Sequence, residues 1–264
     1  MRRLAVICLA ALAAAAPGTG HAQDAALQQA VRAPDRSAAF IARDSVRHPL
    51  QELAFFGVGA NASVIEIWPG GGYWTEMLAP LLRRSGAYRL ALPPAAGHAA
   101  DTPLGRKLAA DPATYGRVML TELGPGHYDI APPESADFVL TFRNLHNWMK
   151  QGDAPQVVAA FYKALKPGGI LGFEEHRGSS ARPQDLQALS GYVRQDYATT
   201  LIEQAGFELV GSSEIGANPK DTTDWPKGVW TLPPDLRLGE VDRAKYLAIG
   251  EADNFVLKFR KPGG

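Results

Sequence analysis

The chain has 264 residues, 46% of them hydrophobic, with 27 Lys and Arg against 27 Asp and Glu. Balanced charge leaves no electrostatic footprint for nucleic acid or an anionic membrane surface, and the length is enough to bury a core without cross-links. A single cysteine, Cys8, excludes an intrachain disulfide.

The chain opens with Arg2-Arg3, an apolar run from Leu4 to Ala16, and the small-x-small stretch Gly20-His21-Ala22. This pattern predicts a cleaved secretory leader over residues 1–22 and a periplasmic or secreted mature protein that has no cysteine. Loss of Arg2 and Arg3 from the 27 basic residues leaves 25 against 27 acidic ones, a net charge of −2. No stretch after the leader reaches the roughly 18 apolar residues a membrane span needs, so no membrane partner is expected after cleavage.

Residues 23–36 are alanine-rich without an apolar stripe and read as a loosely held helix or tail. Phe40, Ile41, Leu50, Leu53, Ala54 and Phe56 predict two helical pieces over 37–56, broken at Pro49. Residues 64–67 read as a buried strand that ends at Pro69 and the glycines Gly70, Gly71 and Gly72. Trp74, Met77, Leu78, Leu81 and Leu82 then recur at helical spacing. A glycine turn between strand and helix brings bare backbone N–H groups to a ligand at the positive end of the helix. That stretch is the expected centre of a small-molecule site.

Further strands are predicted at 87–92, stopped by Pro93-Pro94, at 118–120, leading to Glu122, and at 137–142, followed by Arg143-Asn144-Leu145-His146-Asn147-Trp148. Asp153 as N-cap with Pro155 in the first turn opens a helix whose Val158, Phe161 and Leu165 face inward, until Lys166-Pro167-Gly168-Gly169 stops it. Strands at 170–173, ending in Glu174-Glu175-His176-Arg177, at 207–212 and at 255–259 complete the series, with helices near 104–110 and 195–205. The connection 213–254 holds Trp225 and Trp230, and a loop that long is functional or carries structure of its own. Strands alternating with helices predict one α/β domain over 23–264: an open, largely parallel sheet with helices on both faces. Its ligand would lie beyond the strand ends at the point where strand order reverses.

The ordered set of glycine turn, Asp137-x-Val139-Leu140 strand with Leu145-His146-Asn147, Leu165-Lys166-Pro167-Gly168-Gly169 and Ala205-Gly206-Phe207 resembles the class I methyltransferases that use S-adenosylmethionine. A narrower resemblance is to a family of exported bacterial predicted methyltransferases. It is carried by Arg47-His48-Pro49, Phe55-Phe56-Gly57, Glu66 to Gly72, Arg143 to Trp148, Asn218-Pro219-Lys220-Asp221, Gly228 to Pro234 and Ile249-Gly250-Glu251. The resemblance implies a Rossmann-like seven-stranded sheet, mostly parallel with an antiparallel last strand, and S-adenosylmethionine as cofactor. Two departures stand out. Trp68 occupies the first glycine position of the loop, and Leu92-Pro93-Pro94 replaces the acidic residue that closes strand two and holds the ribose.

On that resemblance Glu66, Trp68, Gly70, Gly71, Gly72, Glu122 and Asn144 are the candidate cofactor contacts, with Glu66 either holding the cofactor's ammonium group or pinning the loop. His146 and His176, both after strands that end at the cleft, are the candidate bases. Arg143, Asn147, Trp148, Trp225 and Trp230 are the candidate substrate contacts, although the tryptophans would equally staple the long connection to the sheet. No metal is expected, because adjacent residues such as Glu175 and His176 point to opposite faces of a strand. Methyl transfer to a small molecule, a cofactor-free lyase, hydrolase or isomerase using the two histidines, and a ligand-binding module all remain open.

Overall fold

The computed structural model describes residues 19–94 and 101–263. The expected leader lies outside the described residues up to position 18, Cys8 included, and its last four positions open the first helix. The N-terminal part forms α1 (Thr19–Val31), α2 (Ala38–Ile41), α3 (Asp44–Arg47) and α4 (Pro49–Phe56). Next come β1 (Ser63–Ile67), α5 (Thr75–Leu82), β2 (Ala87–Leu92), α6 (Pro103–Ala110), α7 (Pro112–Tyr115) and β3 (Met119–Glu122). The remainder is β4 (Ala136–Phe142), α8 (Leu145–Gln151), α9 (Ala154–Ala164), β5 (Leu165–His176), α10 (Gln195–Gln204), β6 (Glu208–Ser213), α11 (Arg243–Ile249) and β7 (Asn254–Arg260). None of the described helices is long and apolar enough to cross a membrane.

The seven strands form one sheet in the order β3-β2-β1-β4-β5-β7-β6. β1 through β5 run parallel, and β7 lies antiparallel between β5 and β6. Strand order reverses between β1 and β4, so the cleft opens at their carboxyl ends. Helices cover both faces, and strand alternation sorts the side chains between them. Ile65 and Ile67 face α8 and α9 with Trp148, Val157 and Phe161. Val64 and Leu140 face the other way, with Leu27, Leu53, Phe56, Met77 and Leu78. Glu66 shares the face of Val64, which carries its carboxylate under the start of α5.

Three expectations change, and one unassigned segment gains a helix. Residues 23–36 are no loose tail: Leu27, Ala30 and Val31 of α1 are buried in the core beneath α4 and α5. The segment after β4, given no element above, is helix α8, entered through Arg143 in the left-handed conformation at φ 62°. Asp153 gives no side-chain cap to α9 and instead accepts a hydrogen bond from the Tyr128 hydroxyl at 3.2 Å. β5 is much longer than 170–173, because Gly168 and Gly169 exchange backbone bonds of 2.9 Å with Lys261 and because Glu174, Glu175 and His176 stay paired with Val256, Phe255 and Asn254 of β7. The break at Pro49 holds, although the piece before it is itself divided into α2 and α3: His48, just before the proline, is left-handed, as a residue excluded from the right-handed helix by the following ring.

The 213–254 connection has structure of its own. Val229, Leu232, Tyr246 and Ala252 form a small apolar cluster with Tyr192, against which Trp225 and Trp230 pack. Asp221 fastens it, accepting from the Tyr192 hydroxyl at 2.8 Å, Trp225 Nε1 at 2.7 Å and the Asp253 N–H at 2.8 Å.

Candidate active site

At the reversal point lies a cavity of about 300 Å³. Among its walls are the β1 turn, the ends of β4 and β5, the first turn of α8, α2 and α3 with their linker, and the 213–254 connection. A second cavity of about 290 Å³ adjoins it, lined by Leu92, Pro93, Thr102, Leu104 and Leu108. Trp68, Pro69, Gly70 and Asn144 border both, so the two make one cleft divided at Trp68.

Trp68 holds φ 47°, a backbone shape that favours glycine and costs other residues about 1–2 kcal/mol. The indole is anchored on one side: Nε1 donates to the Leu123 carbonyl at 3.0 Å, and the ring meets Trp148 edge-on at 5.6 Å. A hydrogen bond of about 1 kcal/mol and an edge-to-face pair of about 0.5–1.5 kcal/mol are enough to offset that strain. Position 68 thus keeps the glycine conformation while an indole forms the partition. Arg143, at the end of the neighbouring strand, is the second left-handed non-glycine residue in the cavity wall. Strained backbone of this kind collects at functional sites.

Glu66 is buried, and its Oε2 accepts from Thr75 Oγ1 at 2.9 Å and from the Tyr88 hydroxyl. Oε1 has no partner among the described residues. Burial, against the opposing Tyr88 and Thr75 bonds, pushes the carboxyl up to about 7. An orphaned carboxylate oxygen beside Gly70 and Gly71 is suited to accept from an ammonium group. Gly70 has φ 57° with open space where a side chain would stand. Asn144 Nδ2 donates to the Ile67 carbonyl at 3.0 Å and to Thr141 Oγ1 at 3.2 Å, tying the ends of β1 and β4 together.

His146 and His176 both line the cavity, with ring centroids 5.5 Å apart. Glu175 lies beneath them, fully buried: its Oε1 is 3.0 Å from His146 Nδ1 and accepts the His176 backbone N–H at 2.8 Å, while Oε2 accepts the His146 N–H at 3.1 Å. His176 Nδ1 is 2.8 Å from Asn254 Oδ1. Burial, then the charges of His146 and Arg143, hold the His176 imidazole well below its ordinary range. The expectation that Glu175 and His176 diverge is corrected here. Ligand atoms of His146, Glu175 and His176 lie within 4.8 Å of one another, because Glu175 hooks back onto the His176 N–H at the strand's last position.

A charged cluster missed in the sequence closes the other side. Glu251 accepts from Arg43 Nε and Nη2 at 2.6 Å each and from Arg143 Nη1 at 3.3 Å, with Arg47 Nε 3.9 Å away. Glu174 sits 3.7 Å from Arg143 Nε, and burial raises its carboxyl to about 6. Buried Glu52 lies in the field of Glu174, and burial first and that neighbour second push it well above the usual range. Arg47 stacks 4.4 Å over the Tyr73 ring, and its guanidinium makes no hydrogen bond among the described residues. Arg43 and Glu251 are 208 positions apart, so no local pattern pairs them; the resemblance singled out Arg47 and Glu251 but gave them no role.

Of the expected contacts, Glu66, Trp68, Gly70, Gly71, Arg143, Asn144, His146, His176 and Trp230 line the cavity. Trp230 meets His146 edge-on at 6.0 Å. Five expected contacts do not reach it. Gly72, at φ 89°, has Leu104 Cδ1 2.8 Å from where a side chain would begin, so its lack of one serves the packing of α6. Glu122 is exposed and pairs with His127 at 2.8 Å. Trp148 is fully buried between Trp68 and Phe161, as an inward position of α8 must be. Asn147 and Trp225 face a separate surface recess, and the Trp225 indole is spent on Asp221. Arg177 pairs with Asp253 and Glu214 outside the cavity.

No protein-family model and no curated protein matches the chain. Among solved structures it resembles the 4+2 cyclase SpnF at TM-score 0.58 and 15% identity, over 88% of this chain and 84% of that one. It also resembles an S-adenosylmethionine-dependent methyltransferase from Aquifex aeolicus at TM-score 0.56 and 11% identity, over 90% of this chain and 98% of that one. Strand order, the antiparallel β7 and these likenesses agree that the chain has the class I methyltransferase fold.

Proposed function

We propose that the protein is an exported methyltransferase that takes S-adenosylmethionine in the divided cleft and acts on a small molecule in the periplasm or outside the cell. The observation that carries this reading is the orphaned, buried Oε1 of Glu66 in the same cavity wall as the open backbone of Gly70. There the ammonium and carboxylate of the cofactor's amino-acid end find an acceptor and bare N–H groups. Leu92, Leu104 and Leu108 offer apolar walls to its ring system, with Asn144 at the partition. When bound, the cofactor supplies an electrophilic methyl carbon.

The chain's own residues do the rest. Glu175 fixes His146 as the Nδ1–H tautomer and leaves Nε2 to receive a proton from an acceptor hydroxyl or amine. Trp230 and the apolar rim of the long connection shield that end from water. Arg47 suits a carboxylate or phosphate on the bound molecule.

Melting the purified chain with and without S-adenosylmethionine, or its demethylated product, tests the reading. Ligand at about 100 times its dissociation constant should add roughly 2.7 kcal/mol, and an unchanged melt at millimolar ligand defeats it. With turnover in hand, His146→Ala should lower kcat on the order of 10²-fold or more. An unchanged rate removes His146 as the base.

A second reading, an enzyme with this fold that does not transfer methyl groups, is favoured by the apolar second cavity, which lacks a carboxylate for a ribose. The similar cyclase fold shows that this architecture also serves other reactions. A flat melt together with a His146-dependent activity would select it.

A further inference from the structure

We propose that His146 and His176 form a binding site for one divalent transition-metal ion of the zinc class, held by the Nε2 atoms of the two rings. Glu175 supports the site from beneath. The site itself does not depend on the function proposed above.

The argument begins with tautomers. His146 Nδ1 faces the Glu175 carboxylate at 3.0 Å, and a carboxylate flanked by N–H donors accepts. His176 Nδ1 faces Asn254 Oδ1 at 2.8 Å, and that amide is oriented by its Nδ2 donating to the Ala252 carbonyl at 3.0 Å. Both Nδ1 atoms therefore carry the proton, and both Nε2 atoms carry a lone pair. Neither Nε2 has a hydrogen-bond partner among the described residues, and both rings border the same cavity. Two unpartnered lone pairs on rings 5.5 Å apart in one cavity wall leave room for a donor or a cation between them.

The spacing fits a cation. With a metal about 2.0–2.1 Å from each Nε2 and a near-tetrahedral angle between the ligands, the two ring centroids fall about 5 Å apart. They are 5.5 Å apart, with planes inclined by 34°. Carboxylate and amide partners on the far nitrogens are what metal-bound histidines use to fix tautomer and orientation. Imidazole ligands favour zinc, cobalt, nickel and iron over magnesium or calcium. The guanidiniums of Arg43 and Arg143 are countered by Glu251 and Glu174, and Arg47 lies 3.9 Å from the same Glu251 carboxylate. With only two rings bound, coordination positions stay open to water or an acceptor oxygen. An oxygen held there would lose its proton more readily; with the ion bound the His146 Nε2 lone pair is occupied, so this route replaces direct proton transfer to His146, and that role, unlike the site, rests on the proposed function.

Titrating the purified chain with Co²⁺ and following its visible absorption tests the site without any turnover. One equivalent should bind, with the spectrum of a low-coordinate imidazole complex, and Zn²⁺ should displace it. His146→Ala and His176→Ala should each weaken binding at least tenfold, and Glu175→Gln about 10- to 100-fold. His127→Ala, an exposed histidine paired with Glu122, should leave it unchanged. His176→Gln replaces His176→Ala if circular dichroism shows the latter unfolded. Absence of stoichiometric binding, or wild-type binding by His146→Ala, overturns the proposal. Co²⁺ binding with no melting response to S-adenosylmethionine would keep the metal site and defeat the function above, and the reverse result would do the opposite.

Discussion

The two halves of the cleft, separated by one indole, are built on opposite principles. On the β4 and β5 side, Arg43, Arg47, Arg143, Glu251 and two histidines line one cavity with Glu174 behind Arg143, drawn from segments as far apart as α3 and the loop before β7. On the β2 side, Leu92, Pro93, Leu104 and Leu108 make a nearly apolar recess. The charged and titratable groups gather in the first half, whereas the described lining of the second is mostly apolar. The contrast shows why the fold alone does not name the reaction: the scaffold positions both halves, but the charges sit in one.

Breaking the charged half should have the largest effect. Glu251→Ala leaves three buried or half-buried guanidiniums without their shared carboxylate. We expect a loss of about 3–5 kcal/mol in denaturant unfolding; a loss below 1 kcal/mol would mean that water replaces the carboxylate. Making the apolar half more polar should act in the other direction. Leu92→Asp supplies a carboxylate where strand two ends, and should tighten S-adenosylmethionine about tenfold by calorimetry through charge-assisted hydrogen bonds. Weaker or equal binding would show that the ribose does not lie there.

The pH dependence separates the halves more finely. Glu66 is raised from its ordinary 4.5 to about 7, so the folded chain holds a proton there that the unfolded chain has released. Its contribution to stability is present below pH 4.5 and is lost as pH rises towards 7, at on the order of 1 kcal/mol per pH unit. Glu66→Gln should flatten that fall in thermal melts, in part only, because Glu174 at about 6 acts in the same sense. An unchanged slope would place the Glu66 carboxyl in the ordinary range. The smallest effect belongs to residues outside both halves: Asn147→Ala should leave ligand affinity within the error of calorimetry, and a tenfold loss would move the site boundary.

Much of this arrangement was legible beforehand where local pattern carries it. The alternation of residues 64–67, the glycine turn and the face of Trp74, Met77, Leu78 and Leu81 place β1, α5 and the cleft, because backbone sterics and apolar periodicity act over a few residues. The ends of β4 and β5 likewise put His146 and His176 in the cavity. Trp148 was misread for a related reason. A tryptophan after a strand end looks like a cleft residue until the backbone turns into α8 and buries it.

The sequence by itself determined the order of elements, the reversal point and the identity of the histidines, since these follow from short-range geometry and the right-handed crossover of parallel strands. Only the tertiary structure decided which groups meet across it. The Glu175 hook beneath His146, the arginines around Glu251, and the turning of Trp68 onto Leu123 and Trp148 are contacts between segments distant along the chain. Their physical cause is the desolvation of charged and polar groups at the carboxyl ends of the strands, which forces each to find a partner wherever packing brings one near.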